Sequence, residues 1–325
     1  MPTPGRYDVP LPPAFVALLT DRPAEGGPSG SDWLRALPGL LAAACERWDL
    51  SIDGPPWHGY CALVLPVRRH GRALALKVGW PHGESRHEHL ALRAWSGRGA
   101  VQLIAAHPGD GALLLERLAD RPLSAVTDEA SAAVLGALTR RLAVPAFPQL
   151  DRLSDWTRAF LAQTSDVAAV SRAGVPRRFV EQARSLAVGL AGEPGIDATL
   201  VHADLHDGNV LTRRGDAAAG PSAGHDEWVA IDPKPMAAEP AYALAPALWN
   251  RWPDALASND PPWRLRCRLA WLCEAGGIEE ERARAWTLIR LVAHAADRAG
   301  AADPDAGPAP MTAVIAAMKA VASDR

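Results

Sequence analysis

The sequence predicts an α+β protein, with a small antiparallel sheet in its N-terminal part and a mainly helical C-terminal part. Three observations predict this class. Short apolar segments separated by turns fill residues 50–117, and helical spacing of apolar residues dominates after Thr127. One dense polar loop, Val201 to Leu211, lies between two strand-like segments. At 325 residues the chain is long enough for one large or two medium domains.

The N-terminal elements begin with a short helix, followed by a longer helix predicted over Asp32 to Trp48 with Ser31 as its N-cap. Residues 50–78 then have the pattern of two or three antiparallel strands. The strand at residues 73–79 contains Lys77 within an otherwise apolar run. Period-two alternation places the larger apolar residues on one face and Lys77 with two alanines on the other.

Lysine is rare in this chain. Only three of the 34 Lys and Arg residues are lysines, namely Lys77, Lys234 and Lys319. Arginine is therefore the default cation. The ammonium group of lysine is more compact than a guanidinium group and can contact two phosphate groups at once. Such a contact would explain why lysine, and not arginine, stands at position 77.

A helix is predicted over Ser85 to Trp95, and its Glu88 has two interpretations. Ser85 and Glu88 have the SxxE spacing of a capping box, in which the glutamate caps the start of its own helix. In phosphate-transferring enzymes, a helix glutamate can instead pair with a strand lysine and aim it at the phosphates. The spacing alone favours the capping box, and Glu84 is a second candidate for the lysine partner.

Two further strands are predicted at residues 100–106 and 112–117, joined by a PGDG turn. Helices are predicted at residues 128–142, 153–162 and 176–191, with four more after Pro240. The Gly-rich segment between Arg213 and Glu227 is predicted to be a mobile hairpin tip.

The polar loop VHADLHDGNVL contains the spacing HxDxxxxN, which suits phosphoryl transfer. In that chemistry Asp204 accepts or orients the proton of an attacking hydroxyl, and Asn209 turns back to hold a magnesium ion. A second metal-binding carboxylate, Asp232, follows a short apolar strand further along the chain. One hairpin spans the separation, so we expect these three residues at the same end of a small sheet. We interpret His202 and His206 as supporting residues.

The same loop also contains HxDxH, a spacing that can ligate zinc or manganese, so a metallohydrolase is the rival enzyme class. Such an enzyme needs further histidine or carboxylate ligands in similar clusters. The remaining histidines are scattered along the chain, and a hydrolase gives no role to Lys77 or Asp232. The sequence therefore favours phosphoryl transfer.

Composition argues against several other classes. The net charge is −3, so the sequence lacks the basic footprint of a nucleic-acid-binding protein. The N-terminal segment has no apolar core of a signal peptide, and no run of about 18 uncharged apolar residues predicts a membrane span. We expect a cytoplasmic protein without nucleic-acid or membrane partners. Its four cysteines have neither disulfide nor zinc spacing and are expected to be buried thiols.

These segments together resemble the aminoglycoside phosphotransferase family, a relative of the protein kinases, and within it the streptomycin and hydroxyurea kinase branch. The resemblance runs from about Trp57 to Trp252. It rests on GYCALVLPV, ALALKVG, EHLALRAWSGRGAV, GDGALLLERL, HADLHDGNVL and IDPKP followed by LAPALWNRW. It implies a two-lobed, protein-kinase-like fold. Residues 1–118 would form an N-terminal arm and nucleotide-binding lobe, and residues 119–325 a helical lobe with the catalytic loop and the acceptor site.

The resemblance also implies ATP as co-substrate, Mg²⁺ as cofactor, and transfer of the γ-phosphoryl group to a small-molecule hydroxyl. Agreement over EHLALRAW favours Glu88 as the partner of Lys77 in holding the nucleotide phosphates. The backbone from Glu116 to Leu118 would connect the lobes and bind the adenine edge. Asp204 would be the catalytic base, with the asparagine and the second aspartate described above as metal ligands.

The expected acceptor is a cationic, streptomycin-like aminoglycoside, whose phosphorylation would inactivate the antibiotic. Hydroxyurea or another small alcohol is the alternative. One position departs from the family pattern, because GDPxxDLA is replaced by AEPAYALA and Ala243 stands where a second aspartate steadies the catalytic loop. This indicates either a different brace or a weakened, nucleotide-binding protein. The retained lysine, asparagine and two aspartates favour an active enzyme. Lys234 is either a solvated turn residue or a further phosphate contact.

Overall fold

The structure, a computed structural model, describes residues 9–172, 175–213 and 227–300. The hairpin tip predicted between Arg213 and Glu227 lies outside these residues except for its two ends. The described chain divides into two compact units. The first contains residues 9–120 with residues 213 and 227, and the second contains residues 121–212 and 228–300.

The described part of the first unit contains three helices and one antiparallel sheet. The helices are α1 (Pro13–Leu19), α2 (Gly30–Arg47) and α3 (Glu88–Trp95). The strands are β1 (Ser51–Ile52), β2 (Trp57–His58), β3 (Ala62–Arg69), β4 (Arg72–Gly79), β5 (Leu103–His107) and β6 (Ala112–Glu116). The sheet order is β1-β3-β4-β6-β5, and β2 pairs with β3.

Helices α1 and α2 cover one face of this sheet. Phe15 of α1 and Leu37 of α2 belong to a buried core that also contains Leu65 of β3 and Leu76 of β4. Because side chains alternate along a strand, Lys77 of β4 faces away from this core. This is the alternation that the sequence predicts for the lysine strand.

The start of α2 differs from the prediction, which placed it at Asp32 with Ser31 as the N-cap. The N-cap is Ser29, which has an extended backbone and whose hydroxyl oxygen accepts the Asp32 amide at 3.2 Å. The Ser31 hydroxyl instead donates to a backbone carbonyl after α1 at 2.5 Å. Gly30 permits this close packing, since a Cβ atom there would lie 1.8 Å from a carbonyl oxygen of α1.

The start of α3 also differs from the predicted position at Ser85. Residues Gly83–Ser85 form a separate 3₁₀ turn, in which the Ser85 hydroxyl donates to the His82 carbonyl at 3.1 Å. Helix α3 begins at Glu88 itself. The SxxE capping box is therefore not formed, and the Glu88 side chain is available for another partner.

The described part of the second unit is mainly helical. Its helices are α4 (Asp128–Leu142), α5 (Leu153–Gln163), α6 (Val167–Arg172), α7 (Arg177–Ala191), α8 (Ala245–Trp249), α9 (Trp252–Leu256), α10 (Pro261–Gly276) and α11 (Glu280–Gly300). The strands are β7 (Val144–Pro145), β8 (Thr199–His202), β9 (Val210–Arg213), β10 (Glu227–Ala230) and β11 (Pro235–Ala237). Strand β8 pairs with β7 and β11, and β9 pairs with β10.

Antiparallel strand pairing positions the polar loop of the second unit. The loop joins β8 to β9, and the segment from Ile231 to Lys234 joins β10 to β11, so the antiparallel pairing brings both connections together. Beneath them, α4 packs closely on α10, where a Cβ atom at Gly136 would lie 2.4 Å from the Leu272 carbonyl oxygen.

In the part of the chain that the structure describes, no helix has the length and apolarity needed to cross a membrane.

Candidate active site

Lys77 and Glu88 form a buried ion pair in the first unit. Lys77 lies in the middle of β4, paired with Val64 on one side and Leu113 on the other. Its Nζ atom donates to both carboxylate oxygens of Glu88, at 2.6 and 2.7 Å, and both side chains are at most one-tenth exposed. The carboxylate therefore fixes the direction of the ammonium group. Glu84, the second candidate, is exposed.

The segment predicted to bind adenine begins at Glu116, the last residue of β6. Its backbone N–H donates to the Gln102 carbonyl at 3.0 Å, so this amide is used within the sheet. Its carboxylate accepts from the Gln102 amide and from Arg213, whose Nη2 lies 2.6 Å and whose Nε lies 2.9 Å from it. Arg213 also binds Glu227 at 2.6 Å. Leu118 follows in partly buried, irregular backbone.

His202 closes strand β8 and ties the two connections of the second unit together. Its Nε2 donates to the Ile231 carbonyl at 3.0 Å, and its Nδ1 accepts the Asp204 amide at 3.2 Å. These partners require the neutral ring with the proton on Nε2. Burial also lowers the pKa of His202, against the opposing effects of its backbone hydrogen bond and nearby carboxylates. With both ring nitrogens engaged, His202 supports the loop, as predicted, and is not a metal ligand.

Asp204, Asn209 and Asp232 are linked through the backbone at the ends of these strands. The Asn209 side-chain amide donates to the Asp204 carbonyl at 2.9 Å, and the Ile231 amide donates to the Asn209 carbonyl at 2.9 Å. Asp232 follows directly, with a left-handed backbone at φ 52°. A left-handed aspartate is uncommon and costs backbone energy, which is typical of functional sites. The structure thus brings together the three residues that the sequence grouped.

Lys234 lies against the predicted base. Its Nζ atom is 3.2 Å from Oδ2 of Asp204, and the two side chains are 40% and 23% exposed. The Lys234 carbonyl accepts the Ala203 amide at 2.9 Å, which fixes its backbone. Nearby, burial lowers the pKa of His206, and its Nδ1 accepts the Gly208 amide at 3.1 Å. Both loop histidines therefore contribute no fixed positive charge at neutral pH.

Asp207 lies in the same loop and is held by two arginines that the sequence analysis did not connect with it. Its carboxylate accepts from Arg268 at 2.8 Å, from Arg251 at 3.0 Å and from the Ser131 hydroxyl. Burial would raise the pKa of Asp207, but the charge of Arg268 and the hydrogen bonds from Arg251 and Ser131 lower it overall. Arg268 also pairs with Asp128 at the start of α4. This buried network anchors the polar loop to α4 and α10.

Arg290 of α11 holds the loop from another side. Its guanidinium group donates to the Ala203 carbonyl at 3.0 Å and to the Tyr242 carbonyl at 3.1 Å. The same group stacks over the rings of Tyr242 and Trp249, at 4.4 and 5.0 Å from their centroids. Ala243, which replaces the expected bracing aspartate, is buried beside this contact. Arg290 therefore holds the loop at the Ala203 carbonyl, beside the buried alanine at position 243.

The donor set at the loop fits a magnesium ion better than zinc. The Asn209 amide nitrogen is committed to the Asp204 carbonyl, which leaves its oxygen as the possible ligand beside the Asp232 carboxylate. Oxygen ligands from one or two side chains, completed by phosphate and water, are what Mg²⁺ prefers. Zinc would need more histidine or cysteine ligands, and no cluster of three His, Cys, Asp or Glu side chains suited to a metal occurs among the described residues.

Comparison with known proteins identifies the family of this chain. A family model described as aminoglycoside/hydroxyurea antibiotic resistance kinase matches residues 47–301. The streptomycin 6-kinase of Streptomyces glaucescens is 37% identical over 288 residues, covering 86% of this chain and 90% of that protein. The hydroxyurea phosphotransferase of Kitasatospora aureofaciens is 40% identical over 291 residues, covering 85% of this chain and 80% of that protein.

Solved structures share the fold at low sequence identity. A choline/ethanolamine kinase family protein from Mesorhizobium loti has a TM-score of 0.55 at 16% identity, covering 87% of this chain and 95% of that one. The aminoglycoside phosphotransferase APH(4)-Ia, in complex with ADP and hygromycin B, has a TM-score of 0.53 at 15% identity, covering 86% and 96%. The predicted α+β, protein-kinase-like fold is confirmed. The chain belongs to the aminoglycoside/hydroxyurea antibiotic resistance kinase family, as its sequence segments indicated.

Proposed function

We propose that this chain transfers the γ-phosphoryl group of ATP to a hydroxyl group of a streptomycin-like aminoglycoside and thereby inactivates it. Family membership makes the chain a phosphotransferase that acts on a hydroxyl group. The observation that carries the proposal is the linked set of Asp204, Asn209 and Asp232 at the ends of two paired strand connections. The relative named streptomycin 6-kinase, 37% identical, supports the choice of acceptor.

Asp204 is the proposed base. In phosphoryl transfer a carboxylate accepts the proton of the acceptor hydroxyl while the oxygen attacks the γ-phosphorus and ADP departs. Asp204 suits this role because its amide is held by His202 and its carbonyl by Asn209, while its carboxylate remains partly exposed. Such fixed geometry lowers the entropic cost of aligning the reacting groups.

Asn209 and Asp232 are the proposed ligands of Mg²⁺, through the amide oxygen and the carboxylate. When bound, the ion neutralises charge on the phosphate oxygens of the nucleotide. Both residues are held by the backbone, since the Asn209 carbonyl accepts the Ile231 amide at 2.9 Å and Asp232 follows Ile231 directly. The two proposed ligands are therefore carried by backbone whose hydrogen bonds are already formed.

The first unit is proposed to bind the rest of the nucleotide. Lys77, held by Glu88, would contact the phosphates as a point charge. The adenine edge would be read by backbone groups of the segment from Glu116 to Leu118. Because the Glu116 amide is already bonded to Gln102, the carbonyl of Glu116 and the backbone of Leu118 are the groups we assign to adenine.

Hydroxyurea is the second candidate acceptor, because a relative named hydroxyurea phosphotransferase is 40% identical to this chain. The two acceptors differ in size and charge. A cationic aminoglycoside would gain from carboxylates on the helical unit, whereas hydroxyurea is small and neutral. Competition between the two acceptors in one assay therefore decides which of them the site fits.

The test is acceptor-dependent release of ADP from ATP and Mg²⁺, measured with streptomycin, other aminoglycosides, hydroxyurea and simple alcohols. We expect streptomycin to stimulate release, and mass spectrometry to find one added phosphoryl group on the product. Asp204→Asn should abolish transfer while nucleotide still binds, whereas Asp21→Asn, at an exposed site, should match the wild type. Stimulation by hydroxyurea alone would favour the second candidate, and unchanged turnover in Asp204→Asn would remove Asp204 from the mechanism.

A further inference from the structure

Lys234 of the second unit lies in contact with the proposed base. It is the only lysine among residues 121–212 and 228–300 of the described chain, where arginine otherwise supplies the cations. Its ammonium group lies 3.2 Å from Oδ2 of Asp204, the proposed base. A cation in contact with the base stands next to the atoms that exchange a proton and a phosphoryl group.

The backbone around Lys234 is rigid, while its side chain is not sealed in. Pro233 and Pro235 flank it, Pro235 pairs with His202 in the β11–β8 ladder, and the Lys234 carbonyl accepts the Ala203 amide. Prolines restrict backbone rotation on both sides. The side chain is nevertheless 40% exposed and carries a flexible four-carbon stem. Motion at this position is therefore confined to the side chain.

Three arginines beside the loop, among the described residues, have several partners each. Arg268 and Arg251 bind the Asp207 carboxylate, and Arg290 binds two backbone carbonyls and two aromatic rings. The loop histidines are neutral, as their hydrogen bonds and lowered pKa values show. Lys234, by contrast, contacts the proposed base itself, on a side chain that is 40% exposed.

The reaction geometry sets where such a cation acts. The acceptor hydroxyl that donates to Asp204 must bring its oxygen to about 3–3.5 Å from the γ-phosphorus before the new bond forms. Negative charge is then spread over the three equatorial oxygens of the transferring group, where fixed cations stabilise it most. An ammonium group in contact with Asp204 would lie beside the group that is being transferred.

We infer that Lys234 is a further catalytic residue, whose ammonium group holds the Asp204 carboxylate before ATP binds and contacts a γ-phosphoryl oxygen during transfer. The inference rests on the proposed phosphoryl transfer. The acceptor hydroxyl gives its proton to Asp204, the acceptor oxygen bonds to the γ-phosphorus, and the bond to the bridging oxygen breaks with its electron pair on ADP. Lys234 keeps its protons throughout and neutralises charge only.

The test compares Lys234→Met, Lys234→Arg and Arg35→Met by nucleotide binding and by kinetics. Arg35→Met is the control, because it also removes one cation from an ion pair with an aspartate, but at a site 77% exposed. Calorimetry with ADP and with the β,γ-imido analogue of ATP, each with Mg²⁺, isolates the γ-phosphoryl contact. We expect Lys234→Met to weaken the analogue about tenfold and ADP by less than twofold, since one charge-assisted hydrogen bond is lost.

Kinetics provide the second readout. Lys234→Met should lower kcat by about 100-fold or more with a small change in the KM of the acceptor, and Lys234→Arg should recover part of the loss. A merely structural ion pair would weaken both nucleotides alike or neither. Wild-type protein that binds no nucleotide overturns the proposed function and this inference together. Wild-type binding with an unchanged ratio of the two affinities in Lys234→Met overturns the inference alone.

Discussion

Replacing Asp207 by asparagine tests whether the buried charge network stabilises the protein. Asp207 is 4% exposed and accepts from Arg268 at 2.8 Å, from Arg251 at 3.0 Å and from the Ser131 hydroxyl. Asparagine has nearly the same shape but no charge. Asp207→Asn therefore removes the counter-charge of Arg268, which is 1% exposed, with little change in packing.

The structure sets the expected size of the loss. Removing one partner of a buried ion pair costs about 3–5 kcal/mol, because the other charge stays buried without compensation. Arg268 retains Asp128 and the Ala247 carbonyl as partners, so the lower end applies, about 3 kcal/mol. Glu181→Gln is the matched control. Its partner Arg177 is 72% exposed, and solvent screening leaves surface pairs of this kind with little effect on stability.

Urea unfolding measures both variants against the wild type. At pH 7 we expect the free energy of unfolding to fall by about 3 kcal/mol in Asp207→Asn and to change little in the control. Because the folded-state pKa of Asp207 is lowered from 3.8, its contribution is complete above the unfolded pKa and is lost as the pH falls through the folded value. The difference from wild type should therefore shrink below about pH 4. A loss at pH 7 no larger than the control, or a difference that persists in acid, refutes this account.

Three further predictions concern other parts of the fold. Glu88→Gln removes the carboxylate charge that directs the buried ammonium group of its lysine partner. We therefore expect kcat/KM in steady-state assays to fall about 100-fold or more. A change within twofold contradicts the pairing role. Burial raises the pKa of Cys45 to about 11 and of Cys273 to about 12, so thiol titration at pH 8 should label both only after denaturation. Gly136→Ala should lower the free energy of unfolding by about 2 kcal/mol or more, because the new Cβ atom meets a carbonyl oxygen of α10 at 2.4 Å. Gly39→Ala, where the new Cβ atom has open space, should raise it by about 0.5–1 kcal/mol. Thermal unfolding measures both.

The elements that sequence alone predicts well are those whose signals are local. Helix α4 runs from Asp128 to Leu142 as predicted, because Thr127 caps it and apolar spacing continues to its end. The alternation around Lys77 likewise follows from a period of two residues. The predicted start of α2 was wrong, because Ser29 and Ser31 can both cap a helix and the prediction chose Ser31. The choice between them depends on how Gly30 packs against α1, which local sequence does not encode.

The parts of the candidate site that sequence did not predict are pairings across long stretches of chain. Asp207 and Arg268 are 61 residues apart, and Glu116 and Arg213 are 97 residues apart. In a chain where arginine is the common cation, composition does not mark which arginines bind a buried carboxylate. The one local signal was the presence of Asp207 inside the polar loop. An acidic residue next to a proposed base requires a cation or a hydrogen-bond donor if it is buried.

The backbone hydrogen bonds of the polar loop show how the loop is held although alanine stands at position 243. A carboxylate brace stabilises a catalytic loop by accepting hydrogen bonds from backbone amides, so its loss matters when those amides lack other acceptors. In this chain the Ala203 amide donates to the Lys234 carbonyl and the Asp204 amide donates to Nδ1 of His202. The loop carbonyl at Ala203 is in turn held by Arg290. Alanine at position 243 therefore leaves neither amide without an acceptor, and its presence is no argument against turnover.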